Sequence, residues 1–198
     1  MTPTTDLEAR LRVFDPAVRR PSLPDGDVCY TVTDTPAGQL VLAATPEAVV
    51  ACSYLSEEAV TQRLADAVSP RVVRAAGRLD PLRRELDAYF AGTLRHFTVA
   101  AAPVLASPFT RDVLAVLDSI PYGSTTTYSE LAARIGRPSA CRAVGAANGR
   151  NPLPVIVPCH RVVGAAGGLT GYGGGLERKQ LLLALEGTER ENRGHGGE

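Results

Sequence analysis

The stretch that most constrains this chain runs from Asn151 to Val163, Asn-Pro-Leu-Pro-Val-Ile-Val-Pro-Cys-His-Arg-Val-Val. Pro152, Pro154 and Pro158 lock the backbone φ and withhold N–H donors, which excludes a helix interior or a central strand. What remains is a stiff apolar approach that ends in Cys159 and His160. A cysteine beside a histidine on a rigid turn suits activated-thiolate chemistry, because the thiolate is the nucleophile and a nearby base or cation favours it. The same pair also suits a buried structural thiol with a histidine facing elsewhere.

Composition narrows the setting. A chain of 198 residues with 44% hydrophobic content can build one domain or two small ones around a packed core. The formal net charge of zero argues against strong nonspecific attraction of the whole chain to nucleic acid. Between Ser129 and Arg161, however, Arg134, Arg137, Arg142, Arg150 and Arg161 stand against Glu130 alone, as on a phosphate-facing surface. The chain has a single lysine, Lys179, and otherwise uses arginine throughout. Cys29, Cys52, Cys141 and Cys159 form no Cys-x-x-Cys pair, and neither a signal peptide nor a run of about 20 apolar residues is evident. The expected protein is cytoplasmic, nucleoid-associated if bacterial, with no membrane partner.

Periodicity divides the chain at 104–107. Residues 1–27 read as a tail with a short amphipathic hint at Leu7 to Phe14. Residues 28–104 read as an α+β domain: a hairpin of Cys29 to Asp34 and Gln39 to Ala44, a third strand at Ala48 to Tyr54, a helix capped by Ser56, a helix from Leu79 to Ala91, and a strand from Phe97 to Val104. Residues 107–187 turn helical. Ser107 caps a helix with Phe109, Val113, Leu114, Val116 and Leu117 on its apolar stripe. A short helix follows over Thr127 to Gly136, and a third starts at Ser139 with Ala143, Val144 and Ala147 inward. Helix, glycine-containing turn, helix is the layout of a DNA reader and equally of a plain packing unit. Residues 188–198 read as a second tail.

Pro-Cys-His-Arg-Val, with Asn-Pro upstream and Gly-Tyr-Gly-Gly-Gly downstream, resembles the active-site signature of the O6-alkylguanine-DNA alkyltransferases, also called methylated-DNA–protein-cysteine methyltransferases. The resemblance runs from about Phe109 to Gly187 and more loosely back to about Val28. It implies a ribonuclease-H-like N-terminal domain and a helical C-terminal domain with a winged-helix-like helix-turn-helix. It also implies a reaction: Cys159 takes an alkyl group from guanine O6, or from O4 of thymine, once and irreversibly, with no cofactor. By this resemblance His160 is the base acting through water, Glu186 (in Leu-Glu-Gly after the Leu181 to Leu185 run) holds the imidazole, and Asn151 holds the turn.

The implied partner is duplex DNA carrying alkylated bases, bound through the minor groove by a monomer, with cooperative binding left open. A base inside a duplex hides its O6 substituent, so the nucleotide must leave the stack. Arg142 takes the arginine-finger position, Tyr128 presses on the phosphate beside the target, and Ala143 and Gly145 lie on the same DNA-facing helix. Gly167 to Gly175 wall the pocket, where Tyr172 stacks on the base or donates to its ring nitrogen and Gly173 offers its N–H. The carbonyls of Cys159 and Val162 accept from the guanine amine.

The sequence departs from the family pattern in places: Cys141 stands where a small residue is expected, Gly173 where some relatives carry serine, and Leu114 where many carry tryptophan. Some relatives hold zinc, but Cys29, Cys52 and His96 have no ligand spacing here, so no metal is expected. The rival readings are a noncatalytic lesion binder, against which Cys159 itself argues, and a cysteine hydrolase using Cys159, His160 and Glu186. A phosphate-cradling glycine loop lacks its Gly-Lys-Ser/Thr companion.

Overall fold

A computed structural model describes residues 26–187. Both expected tails, including Leu7 to Phe14, lie essentially outside the described residues. Three antiparallel strands, β1 (Val28–Thr33), β2 (Leu40–Ala44) and β3 (Val49–Ser53), form a meander, and a short β4 (Val72–Arg74) adds parallel to β1, giving the order β3-β2-β1-β4. The β1–β2 turn closes where Thr35 and Gly38 exchange backbone bonds, with Gly38 at φ 97° as only glycine readily allows.

All five residues of β2 are buried, and their alternation assigns them to two faces. Val41 and Ala43 join Val28, Val50, Val60 and Leu64 in a small cluster beneath α1 (Glu57–Ala67), whose first turn is capped by the Ser56 side chain accepting from the Ala59 N–H. Leu40, Leu42 and Ala44 face the other way into the main core. There they meet Leu82, Leu86 and Tyr89 of α2 (Asp80–Phe90) and Val113, Leu114 and Leu117 of α3 (Pro108–Asp118). Leu131 of α4 (Tyr128–Arg134), Val144 and Ala147 of α5 (Cys141–Gly149) and Leu182 of α6 (Leu176–Leu185) complete the same cluster. One core therefore joins the sheet to the helical part, and the two are packed as a unit.

Caps set the helix starts. Ser107 accepts from Thr110 N, and Thr127 with Glu130 forms a reciprocal capping box on α4. Three expectations need correction. Phe97 to Val104 is not a strand but a single parallel bridge of Val49 to Ala101. Pro103 cannot extend the ladder, and further along β3 the Cys52 N–H is taken by the Pro152 carbonyl at 2.9 Å. Ser139 does not cap α5, whose first turn carries no side-chain cap. Ala143 points outward and is exposed, while Val144, Ala147 and Asn148 form the inner face.

Candidate active site

The proline-rich segment is stapled from both ends. Asn151 donates from Nδ2 to the Val157 carbonyl and accepts at Oδ1 from the Leu153 N–H, both at 2.9 Å, closing the turn around Val155. Val155 is buried with φ 73°, the one non-glycine residue with positive φ among those described. A β-branched residue there stores about 1–3 kcal/mol of strain, held in place by its surroundings. The β3 edge grips Pro152, and Asn148 of α5 donates to the Cys159 carbonyl at 3.2 Å. Cys159 to Arg161 then form one 3-10 turn, and β6 (Val162–Val163) pairs parallel to β5 (Thr126–Thr127). Sheet, α5 and β5 thus fix the cysteine from three directions.

Cys159 is only 2% exposed, and it lines a cavity of about 300 Å³ together with Tyr54, Asn148, Asn151, Tyr172 and Gly173. Burial pushes its thiol up to about 11, against the pull of the Asn151 side chain, its own backbone, the Lys179 charge and Tyr172. At neutral pH it rests as a thiol and needs a base.

The candidate base is the next residue in the chain. His160 is fully buried and its Nε2 lies 2.9 Å from Glu186 Oε1. Burial would raise the Glu186 carboxyl, but the hydrogen bonds from His160 and Arg161 and their charges outweigh it and hold the group at about 2. An ionised carboxylate only accepts, so Nε2 carries the imidazole hydrogen and Nδ1 keeps its lone pair. Nδ1 is buried and has no protein partner among the described residues. Burial holds the imidazole below its ordinary pKa of 6.5 despite the carboxylate, so it is neutral and basic at pH 7.

Glu186 is the hub of this cluster. Oε1 accepts from Tyr89 Oη (2.7 Å), His160 Nε2 (2.9 Å) and Arg161 Nη2 (2.9 Å). Oε2 accepts from Arg161 Nε (2.8 Å) and the Gly123 N–H (3.2 Å). Arg161 also donates from Nη1 to the Ile120 carbonyl. This corrects the reading of Arg161 as part of a phosphate-facing surface: it is 7% exposed and points inward. Arg134, Arg137, Arg142 and Arg150 do remain exposed.

Lys179, the only lysine, is fully buried and donates from Nζ to the carbonyls of Val162 (2.5 Å) and Thr170 (2.7 Å). Burial lowers it to about 8, and the proximity of Cys159 opposes that drop. It ties the glycine loop to β6 and holds positive charge close to the sulfur. Tyr172, 9% exposed, packs edge-on to Tyr54 with centroids 6.3 Å apart, and burial raises both phenols. Arg178 braces this wall: it donates to the carbonyls of Ala37 (2.7 Å) and Gly174 (2.6 Å) and lies 4.7 Å over the Tyr54 ring.

On the far side of the glycine loop lies an open hollow of about 590 Å³, bounded by Tyr128, Cys141, Arg142, Gly145, Thr170 and Tyr172 among others. Tyr128 is half-buried and donates to the Gly171 carbonyl at 3.2 Å, and Arg142 is exposed. Gly149, Tyr172 and Gly173 line both this hollow and the cavity of Cys159. A Cβ on Gly173 would come within 2.7 Å of the Gly149 carbonyl oxygen, so the absence of a serine here has a steric cause.

The structure brings Cys159, Asn151, Tyr172 and Gly173 together at one cavity, while His160, the next residue, is buried against Glu186. Arg142, Tyr128 and Gly145 gather at the neighbouring hollow. Ala143 lies on the exposed face of α5 outside that lining, and Val162 is wholly internal with its side chain in the core. The Val162 carbonyl already accepts from Lys179 and keeps one lone pair, whereas the Cys159 carbonyl accepts from both Asn148 and the Val162 N–H, which engages both its lone pairs and corrects the expectation that it accepts from the guanine amine. Cys141 is half-buried and donates to the Pro138 carbonyl at 3.5 Å. Among the described residues no group of three or more His, Cys, Asp or Glu side chains is placed to hold a metal ion, and no helix is long and apolar enough to cross a membrane.

Sequence reasoning missed Arg161, Lys179, Tyr89, Asn148 and Arg178. One signal was available: Lys179 precedes Leu182 and Leu183 at helical spacing, on the face that proves buried.

Residues 108–188 match the model of the 6-O-methylguanine DNA methyltransferase DNA-binding domain. The methylated-DNA–protein-cysteine methyltransferase of Mycolicibacterium paratuberculosis is 45% identical over 157 residues, covering 79% of this chain and 91% of that protein. The protein of the same name from Methanosarcina acetivorans is 42% identical over 159 residues, 80% of this chain and 98% of that one. Among solved structures, Mycobacterium tuberculosis OGT in complex with DNA superposes with a TM-score of 0.69 at 41% identity, covering 80% of this chain and 92% of that one. The O6-methylguanine-DNA methyltransferase of Pyrococcus kodakaraensis superposes at 0.54 with 25% identity, covering 81% and 99%. By length, identity and the mixed α+β architecture they share, this chain belongs to the methylated-DNA–protein-cysteine methyltransferase family.

Proposed function

We infer that this protein repairs alkylated DNA by moving the alkyl group from guanine O6 onto Cys159. One observation carries the reading most directly: a buried thiol opens on a small cavity, and the next residue in the chain is a neutral, carboxylate-anchored imidazole. His160 Nδ1 takes the thiol proton through water, and the sulfur attacks the O6-linked carbon. As the S–C bond forms, the C–O6 bond breaks, its electron pair stays on the guanine, and the base regains a proton at N1. The product is a thioether, which water does not cleave, so each molecule reacts once. No external cofactor enters this balance.

Each residue has a supporting role in this scheme. Asn151 and Lys179 hold the turn and favour the developing thiolate, by hydrogen bond and by charge respectively. Tyr172 and Gly173 face the base, the former donating to a ring nitrogen, while the spare lone pair on the Val162 carbonyl accepts from its amine. The hollow beyond the glycine loop suits duplex DNA: Arg142 fills the gap left by the rotated nucleotide, Tyr128 bears on the adjacent phosphate, and Ala143 and Gly145 keep the helix surface low enough for close approach. In this reading α4 and α5 with β5 and β6 act as a winged-helix-like reader, and residues 28–104 form a ribonuclease-H-like domain. A monomer working in the cytoplasm, with O4-alkylthymine as a second substrate, is consistent with it.

The test is stoichiometry. Titration with O6-methylguanine duplex should reach a plateau at one methyl group per protein, and Cys159→Ser should abolish transfer while leaving DNA binding within about twofold. Continued ester or amide cleavage by the protein would instead favour the hydrolase reading.

A further inference from the structure

The cavity in front of Cys159 extends past the sulfur into the N-terminal part of the chain, and its charge there is one-sided. Arg63 of α1, Arg150 after α5 and Arg178 of α6 all contribute to its lining, which contains no aspartate or glutamate. Leu55, Val60 and Leu105 supply an apolar shelf between them, and Leu55 is 47% exposed, so the cavity reaches solvent beside it. Arg178 is held by the Ala37 and Gly174 carbonyls and the Tyr54 ring, none of which neutralises it. Arg63 and Arg150 are exposed and make no ion pair among the described residues. The nearby carboxylate of Glu57 is engaged elsewhere, by Tyr30 Oη at 2.8 Å and Arg74 at 3.7 Å.

We propose that this arginine-rimmed extension is a subsite for O6 substituents that end in a carboxylate, making ω-carboxyalkyl adducts a favoured substrate class. The proposal rests on the alkyl-transfer reading above. The methylene next to O6 meets Cys159, the chain lies along the leucine shelf, and the carboxylate sits among the guanidinium groups, which match it in charge and donor geometry. The chemistry at carbon is unchanged: sulfur displaces guanine O6, the guanine takes the electron pair and a proton at N1, and the carboxylate stays ionised on the S-alkylated protein. Tyr54 and Arg63 belong to residues 28–104, so the N-terminal part contributes to this selectivity together with Arg150 and Arg178.

The experiment compares three duplexes differing only in the guanine substituent: O6-methyl, O6-(3-carboxypropyl) and its neutral isostere O6-(3-carbamoylpropyl). Single-turnover rates are measured with the full chain and with Arg63→Gln and Arg63→Glu. The acid should be transferred about threefold to tenfold faster than the amide at low salt, with the preference shrinking as salt rises. It should weaken in Arg63→Gln and disappear or invert in Arg63→Glu, the O6-methyl rate staying unchanged. Equal rates for acid and amide in the unaltered protein would overturn the subsite. So would a parallel fall on all three duplexes with weaker DNA binding, which would assign Arg63 to a DNA phosphate. Failure to transfer even the methyl group would remove the underlying reaction as well.

Discussion

Replacing Glu186 by glutamine changes one charge and almost no volume, at the group that receives more hydrogen bonds than any other near Cys159. Five donors converge on the carboxylate: Tyr89, His160 and Arg161 at one oxygen, Arg161 and Gly123 at the other. An amide offers one acceptor and one donor pair, so whichever way it turns, its NH₂ confronts donors that previously had a lone pair. Arg161 would then be a buried cation without a counter-charge. Breaking such a pair by removing one partner costs about 3–5 kcal/mol. At about 2–4 °C per kcal/mol for a chain of this size, the midpoint of thermal unfolding should fall by roughly 6–20 °C. Transfer should suffer separately, because the imidazole loses the acceptor that fixes its tautomer, and a drop on the order of 10²-fold or more is expected. Urea denaturation and single-turnover transfer measure the two effects. Adding Arg161→Met to Glu186→Gln removes the orphaned cation and should recover about 1–2 kcal/mol of stability but none of the transfer. A loss below about 1 kcal/mol with unchanged transfer would refute the assignment of Glu186 as the hub.

Further predictions follow from the same geometry. Since His160 titrates below its ordinary value of 6.5, the single-turnover rate should hold from pH 6.5 toward neutrality and fall only at lower pH; a half-maximal pH above 6.5 would contradict this. The depressed Glu186 carboxyl contributes stability that is complete above about 4.5 and is lost as pH falls through about 2, so acid unfolding of Glu186→Gln should lack that component. Asn151→Ala leaves the Leu153 N–H and the Val157 carbonyl without their partner, so it should cost about 1–3 kcal/mol and slow transfer, as read by denaturation and single-turnover assays. Arg142→Ala should slow repair of duplex DNA while hardly affecting reaction with free O6-methylguanine; equal loss on both would remove its role in holding a rotated nucleotide.

The elements that were legible in the sequence are those that local chemistry determines. Ser56 and Ser107 each start a helix because their hydroxyls satisfy an early N–H, and β2 alternates between two cores because side chains along a strand alternate. Three prolines likewise announce that the cysteine arrives on neither helix nor strand. What stayed hidden depends on contacts between distant segments. Tyr89 meets Glu186 across 97 positions, and the three-residue β4 exists only because β1 offers it an edge. Arg161 read as part of a phosphate-facing surface and Lys179 carried no reading beyond being the single lysine; their burial is intelligible only once Glu186 and the carbonyls of Val162 and Thr170 surround them. The strand expected over Phe97 to Val104 failed for the converse reason, since its pattern was suitable but Pro152 takes the β3 edge it needed.

The central claim is that the Cys159 sulfur keeps the alkyl group, and peptide mass spectrometry after reaction with O6-methylguanine duplex tests it most directly. Trypsin should release Asn151 to Arg161 as one peptide carrying a single added methyl group, a gain of about 14 Da located on Cys159, with no increase on longer incubation. An unmodified Cys159, or the added mass on Cys29, Cys52 or Cys141 instead, would contradict it.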